Sequence, residues 1–259
     1  MIGQAAAAVP PILELRQVSK SFGRLQVLTN LSFSLSEGAA LGILGPNGAG
    51  KTTMLNLISG ESSIASGQIL FRGVDITAEP APERCRRGIG RTYQIPRPFV
   101  GMTVFENVLV GATYGRGPER NDQDANDLCH EVLQQTRLLE RADMLAGNLG
   151  LLDRKRLDLA RALATRPSLL LLDEIAGGLT DPEVHALLEV IAEIRARHIT
   201  IIWIEHIVHA LVSTVDRILA INFGVKLVEG LPQEVLTSRE FQEIYLGVGE
   251  HSLSAVKIA

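Results

Sequence analysis

Apolar runs broken by glycine divide this chain into strand-sized and helix-sized pieces. Ile12 to Phe22 and Gln26 to Leu35 alternate apolar and polar residues around Gly23-Arg24, which predicts an antiparallel pair. Gly67 to Ile76 reads as another hairpin with Gly73 at its turn. Ala39–Leu44, Leu169–Leu172 and Ile199–Ile204 are apolar almost throughout, the pattern of strands buried on both faces. Arg217–Ile221 and Lys226–Glu229 predict two further strands. Helical spacing marks Met54, Leu55, Leu57 and Ile58, with Gly60 placed to stop that helix. It recurs over Thr103–Val110 and at Leu128, Val132, Thr136 and Leu139, which share one predicted face. A polar loop, Gly115 to Asp127, separates those two helices. Val184, Leu187, Leu188, Ile191 and Ile194 follow Asp181-Pro182, read as a capping Asp with Pro at the first helical position. A last helix is expected around Gln233 to Tyr245. Arg84, Arg86, Arg87, Arg91 and Arg97 read mostly as a solvated helix face followed by a loop, which Pro96 and Pro98 keep out of helix.

Strands alternating with helices predict an α/β fold with a mainly parallel sheet. An antiparallel β-subdomain precedes it, and a helical subdomain of roughly residues 95–164 is inserted. Met1 to Pro11 is read as a flexible lead-in, 12–249 as one domain and 250–259 as a tail. Composition narrows the function classes. With 259 residues, 46% hydrophobic and a formal net charge of −4, the chain can bury a sizeable core and is a poor candidate for nucleic-acid binding. Cys85 and Cys129 have neither metal nor disulfide spacing and read as reduced thiols of a cytosolic protein. No run approaches the ~18 apolar residues of a membrane helix, so any link to a membrane is expected to go through a partner.

Two stretches carry chemistry. Gly45-Pro46-Asn47-Gly48-Ala49-Gly50-Lys51-Thr52-Thr53 satisfies G-x-x-x-x-G-K-[ST], with a buried strand before it and a helix after it. Backbone N–H groups of such a loop close around phosphate oxygens, and the helix N-terminus adds partial positive charge. Lys51 is expected on the β/γ-phosphates of ATP and Thr52 on Mg²⁺. Leu169 to Leu172 runs into Asp173-Glu174, a carboxylate pair at a strand end. Asp173 is expected on the metal, and Glu174 as the general base that polarises the attacking water. The core therefore reads as a phosphate-loop ATPase.

In order along the chain, Phe22, Gly45–Thr53, Gln94, a helical insertion, Ala160-Arg161-Ala162-Leu163, Leu169–Glu174, Gly178-Leu179 and His206 resemble the ATP-binding subunit of an ABC transporter, from Leu13 to Gly249. That resemblance implies adenine stacking on Phe22, Gln94 sensing Mg²⁺, water and the membrane subunit, and His206 contacting the γ-phosphate. Gln94–Phe99, Met102–Val108 and Gly230–Gly247 are similar to the branched-chain amino acid importer branch. It implies an ATPase at the cytoplasmic face of the membrane, held there by transmembrane permease subunits and served indirectly by a solute-binding protein. The alternatives are a nucleotide-dependent clamp with weak catalysis, a soluble ABC-type ATPase, and a small-molecule kinase. The last two lack support in the absence of a tandem cassette, a coiled-coil insertion or an acceptor lid.

The chain departs from the family's signature Leu-Ser-x-Gly-Gln. Leu149-Gly150-Leu151-Leu152-Asp153 occupies that offset before Ala160-Arg161. The hydroxyl is lost at Gly150, a bulky side chain is expected to crowd the approach at Leu152, and Asp153 is expected to face phosphate and repel it. Ile175 replaces the usual Pro, and Thr180 stands where Asp or Asn is usual. These departures favour a heterodimer with a second ATP-binding subunit over a homodimer.

Overall fold

The computed structural model describes residues 10–117 and 122–245. Residues 1–9, 118–121 and 246–259 lie outside the described residues, and with them most of the lead-in, part of the polar stretch Gly115–Asp127, the end of the domain read as 12–249, and the tail. Strands β1 (Leu13–Phe22) and β2 (Leu25–Leu35) pair antiparallel as predicted, and β4 (Ser66–Phe71) and β5 (Val74–Asp75) extend them into a four-stranded sheet of order β2-β1-β4-β5. The second sheet has six strands. They comprise β3 (Ala40–Leu44), β6 (Ile89–Arg91), β7 (Leu169–Asp173), β8 (Thr200–Ile204), β9 (Arg217–Asn222) and β10 (Val225–Gly230), in the order β10-β9-β3-β8-β7-β6. All pairs are parallel except β10 with β9.

The continuous apolar runs follow from burial on both faces. Along β7, Leu170 and Leu172 enter one core while Leu169 and Leu171 enter the other. Along β8, Ile201 and Trp203 divide from Ile202 and Ile204 in the same way. One core is closed by the β-subdomain and α1 (Lys51–Ser59), the other by α3 (Val104–Tyr114), α4 (Asp122–Gln135), α5 (Leu151–Ala164) and α6 (Asp181–Ala196). Each fully buried leucine contributes about 1.5–3 kcal/mol relative to exposure.

Several expectations are corrected. Arg86, Arg87 and Arg97 are exposed as read, but Arg84 and Arg91 are not, and a strand rather than a loop follows the helix. The stretch forms α2 (Ala81–Arg87) and then β6, an edge strand too short to show a period. Arg84 is fully buried, donating to the carbonyls of Leu57, Ile58, Thr77 and Glu79. Helix α4 begins at Asp122, inside the stretch read as loop, and Leu139 does not share its face. Arg137 adopts a left-handed backbone (φ 62°), Leu138 takes the buried place, and Leu139 falls in a short 3₁₀ turn, exposed. The cap of α6 is Thr180, whose N–H and hydroxyl both donate to Glu183, so Asp181 is the first helical residue and Pro182 the second. Beyond α7 (Val208–Val212), the C-terminal helix divides into α8 (Pro232–Thr237) and α9 (Arg239–Tyr245). The Ser238 hydroxyl joins them, donating to Val235 O and accepting from Phe241 N.

Candidate functional site

Parallel register brings the chemistry to one edge. Ile204 lies opposite both Ile43 and Asp173, so β3, β7 and β8 end together, and the loops that follow them meet. The loop after β3 turns tightly. A Cβ at Gly45 would sit 2.3 Å from the Ile221 carbonyl, and Gly50, the N-cap of α1, has φ 98°, a left-handed conformation that glycine adopts without strain. The β9–β10 turn braces this loop from outside, the Gly224 N–H donating to Ala49 O and the Gly224 carbonyl accepting from Thr29 N.

An open groove is lined by Leu25, Val27, Asn47 through Thr53, Gln94, Glu174 and His206. Lys51 is buried, its ammonium donating to the carbonyls of Gly45 (2.7 Å) and Pro46 (3.1 Å). Burial lowers the Lys51 pKa, against the pull of Glu174 and then Asp173. The Thr52 hydroxyl lies 3.3 Å from Asp173 Oδ1. The Glu174 carboxylate is held at both oxygens, Oε2 by the Gln94 amide at 2.6 Å and Oε1 by His206 Nε2 at 2.7 Å. Its side chain is 14% exposed, and its backbone is left-handed at φ 46°. Phe22 stands outside the groove wall. It is 53% exposed, opposite Leu25 in the hairpin, with the Lys20 ammonium 4.8 Å from its ring centre.

Sequence reasoning missed the charges beneath this surface. Arg91 donates to Asp173 Oδ2 at 3.2 Å and to Asn56 at 2.6 Å. Burial raises the Asp173 pKa and Arg91 opposes it most strongly. Asp158 on α5 accepts the Tyr93 N–H at 2.7 Å, just before Gln94, and Glu205 lies buried between β8 and His206. For Glu205 the available signal was position, directly after a readable apolar strand; Arg91 carried none, since β6 is too short to be read.

Burial pushes the Asp158 carboxyl up to about 6, against the Tyr93 N–H and then Arg161. The folded state thus holds this proton at pH values where the unfolded chain has released it. Stability is therefore expected to fall as pH rises from about 4 to about 6 and to level off above, by roughly 2–3 kcal/mol at most. Urea unfolding of Asp158→Asn across that range should lack this fall relative to the parent; an identical pH profile would contradict it.

The signature region also differs from expectation. Asp153 does not present a bare carboxylate: it pairs with Arg141 and lies 3.4 Å from Arg156. Leu152 packs back on the larger core, while Leu151 is exposed and reaches toward Gly178. Gly150 is the N-cap of α5 and supplies no side-chain bond there.

A sequence profile described as ABC transporter matches residues 28–177. The chain belongs to the ABC transporter family. This ABC transporter protein is 36% identical over 250 residues to the high-affinity branched-chain amino acid transport ATP-binding protein LivG of Salmonella typhimurium, covering 92% of this chain and 98% of that one. It is 34% identical to BraF of Pseudomonas aeruginosa, which carries the same description, with the same coverage. Among solved structures, an ATP-binding cassette of an ABC transporter in its ADP conformation superposes with a TM-score of 0.81 at 29% identity, covering 92% of this chain and 99% of that one.

Thr52 and Asp173 fit Mg²⁺, offering one hydroxyl and one carboxylate as hard oxygen donors beside a phosphate-binding loop. Among the described residues no three His, Cys, Asp or Glu cluster as a protein-only cage.

Proposed function

We propose that this protein is the ATP-hydrolysing subunit of a membrane importer for branched-chain amino acids or related small amides. The observation that carries the reading is Glu174, fixed between Gln94 and His206 and facing the phosphate loop. In this reading the loop N–H groups and Lys51 bind the phosphates, and Phe22 stacks on adenine. Thr52 and Asp173, with Gln94 nearby, hold Mg²⁺, which when bound offsets charge on the β- and γ-phosphates. Glu174 accepts the proton of the attacking water through a lone pair that the bonds from Gln94 and His206 leave free. His206 then faces the γ-phosphate.

Among the described residues no helix is long and apolar enough to cross a membrane, and in this reading permease subunits hold the chain there. Exposed Ile95, Phe99 and Val100 follow Gln94 directly and offer the apolar surface that such a subunit covers at the cytoplasmic face. A solute-binding protein on the far side selects the substrate. In proteoliposomes holding the permease and its second ATP-binding subunit, ATP-driven leucine uptake should require this chain and vanish with Lys51→Ala. Uptake that persists without it would refute the reading.

The second subunit is expected to differ from this one, because Gly150 has no hydroxyl to offer a nucleotide held opposite. The hydrolysis-deficient Glu174→Gln chain, bound to Mg-ATP, should sediment alone as a monomer. A stable ATP-dependent homodimer would remove the case for asymmetry.

A further inference from the structure

Behind the Glu174–His206 pair lies a buried acid that touches neither side chain. Glu205 is 1% exposed. One of its oxygens accepts the Ala176 N–H at 2.6 Å, the other the His206 N–H at 3.1 Å. Ala176 is two residues beyond Glu174, so a single carboxylate ties the loop after β7 to the loop after β8. Facing this tie is Lys155, in the second turn of α5 and 4% exposed, whose ammonium lies 3.4 Å from the Glu174 carbonyl oxygen. Glu205 is the opposite charge acting most strongly on Lys155, while burial lowers the lysine's pKa and raises that of the acid.

The tie matters because of what it holds. Glu174 adopts a left-handed backbone that a residue with a Cβ keeps only when its surroundings enforce it. Its N–H donates to Ile204 O, and its carbonyl accepts from Gly177 N and Lys155. The bond to Ile204 lies inside the bracket that Glu205 closes, and those from Gly177 and Lys155 flank it.

We propose that Glu205, backed by Lys155, is the positioning residue for the Glu174–His206 pair, clamping the two loops so that base and imidazole meet. The proposal rests on the reading of Glu174 as the base. It also joins α5, whose first turn carries the altered signature, to the hydrolytic carboxylate through one buried lysine.

The test uses the full chain assembled with its permease and second ATP-binding subunit, carrying either Glu205→Ala, which removes both acceptors, or Glu205→Gln, which keeps the shape and one acceptor. Loosening the pair is expected to lower kcat roughly 10- to 100-fold for Glu205→Ala and less for Glu205→Gln. The Kd for ADP should change less than about 2-fold, since the phosphate loop is untouched. The ¹⁵N resonances of the His206 ring should move toward those recorded for Glu174→Ala. Unchanged resonances, unchanged kcat, or a loss of ADP affinity in step with kcat would each overturn the proposal. Should Glu205→Ala fail to fold, the same readouts on Glu205→Gln and Lys155→Met decide it. Glu174→Gln, assayed in parallel, separates the two readings. If it hydrolyses like the parent, the base assignment fails. If it is inactive while the Glu205 variants match the parent, only the clamp fails.

Discussion

Glu174→Gln is expected to bind ATP as the parent does and to hydrolyse it roughly 10²- to 10⁴-fold more slowly, the usual contribution of a positioned general base. The argument is geometric. The amide keeps the shape of the carboxylate and can still bond to Gln94 and His206, so the groove should be preserved. What it cannot do is take a proton. Lys51 and the loop N–H groups lie on the other wall of the groove and are untouched. Phosphate release at steady state by the complex with its second ATP-binding subunit, set beside ATP affinity of the chain by calorimetry, checks both halves. If hydrolysis fell less than about 10-fold, another group would have to be the base.

Arg84→Met should cost about 3–5 kcal/mol of stability, although Arg84 lies away from the groove. The thioether replaces the stem but not the five N–H donors, and the carbonyls of Leu57, Ile58, Thr77 and Glu79 lose their partner together. Two of those carbonyls belong to the last turn of α1, where a cation also complements the helix dipole. For a chain of this size the loss corresponds to a fall in Tm on the order of 10 °C. Arg86→Met is the control. Arg86 is solvent-exposed and holds only a surface pair with Glu83, worth less than about 1 kcal/mol. Equal melting of the two variants would refute the burial argument.

That contrast shows what the sequence could express. Arg84, Arg86 and Arg87 share one short helix and are alike in type, so no pattern separates the buried one from its exposed neighbours. The three long apolar strands were legible because burial on both faces suppresses polar residues at every position. The phosphate loop and Asp173-Glu174 were legible because fixed spacing is itself the chemistry. Strand β6 was not, since three residues show no period. Nor was the cap of α6, where Asp181 and Thr180 are both competent and only the Glu183 bond decides. The neutralised state of Asp153 was beyond reach too, because Arg141 comes to it from a separate turn.

The brace on the phosphate loop bears on how the protein is made. Residues 45–53 leave the ribosome well before the Gly224 N–H that anchors Ala49 O, which lies 175 residues further along the chain. Until β9 and β10 have paired beside β3, the loop lacks one wall of its fold, and its N–H groups are not yet held in a phosphate-binding arrangement. A nascent chain stalled before that hairpin would carry the whole nucleotide motif and still be unable to hold nucleotide tightly. Competence to bind is thus acquired only once that hairpin has emerged.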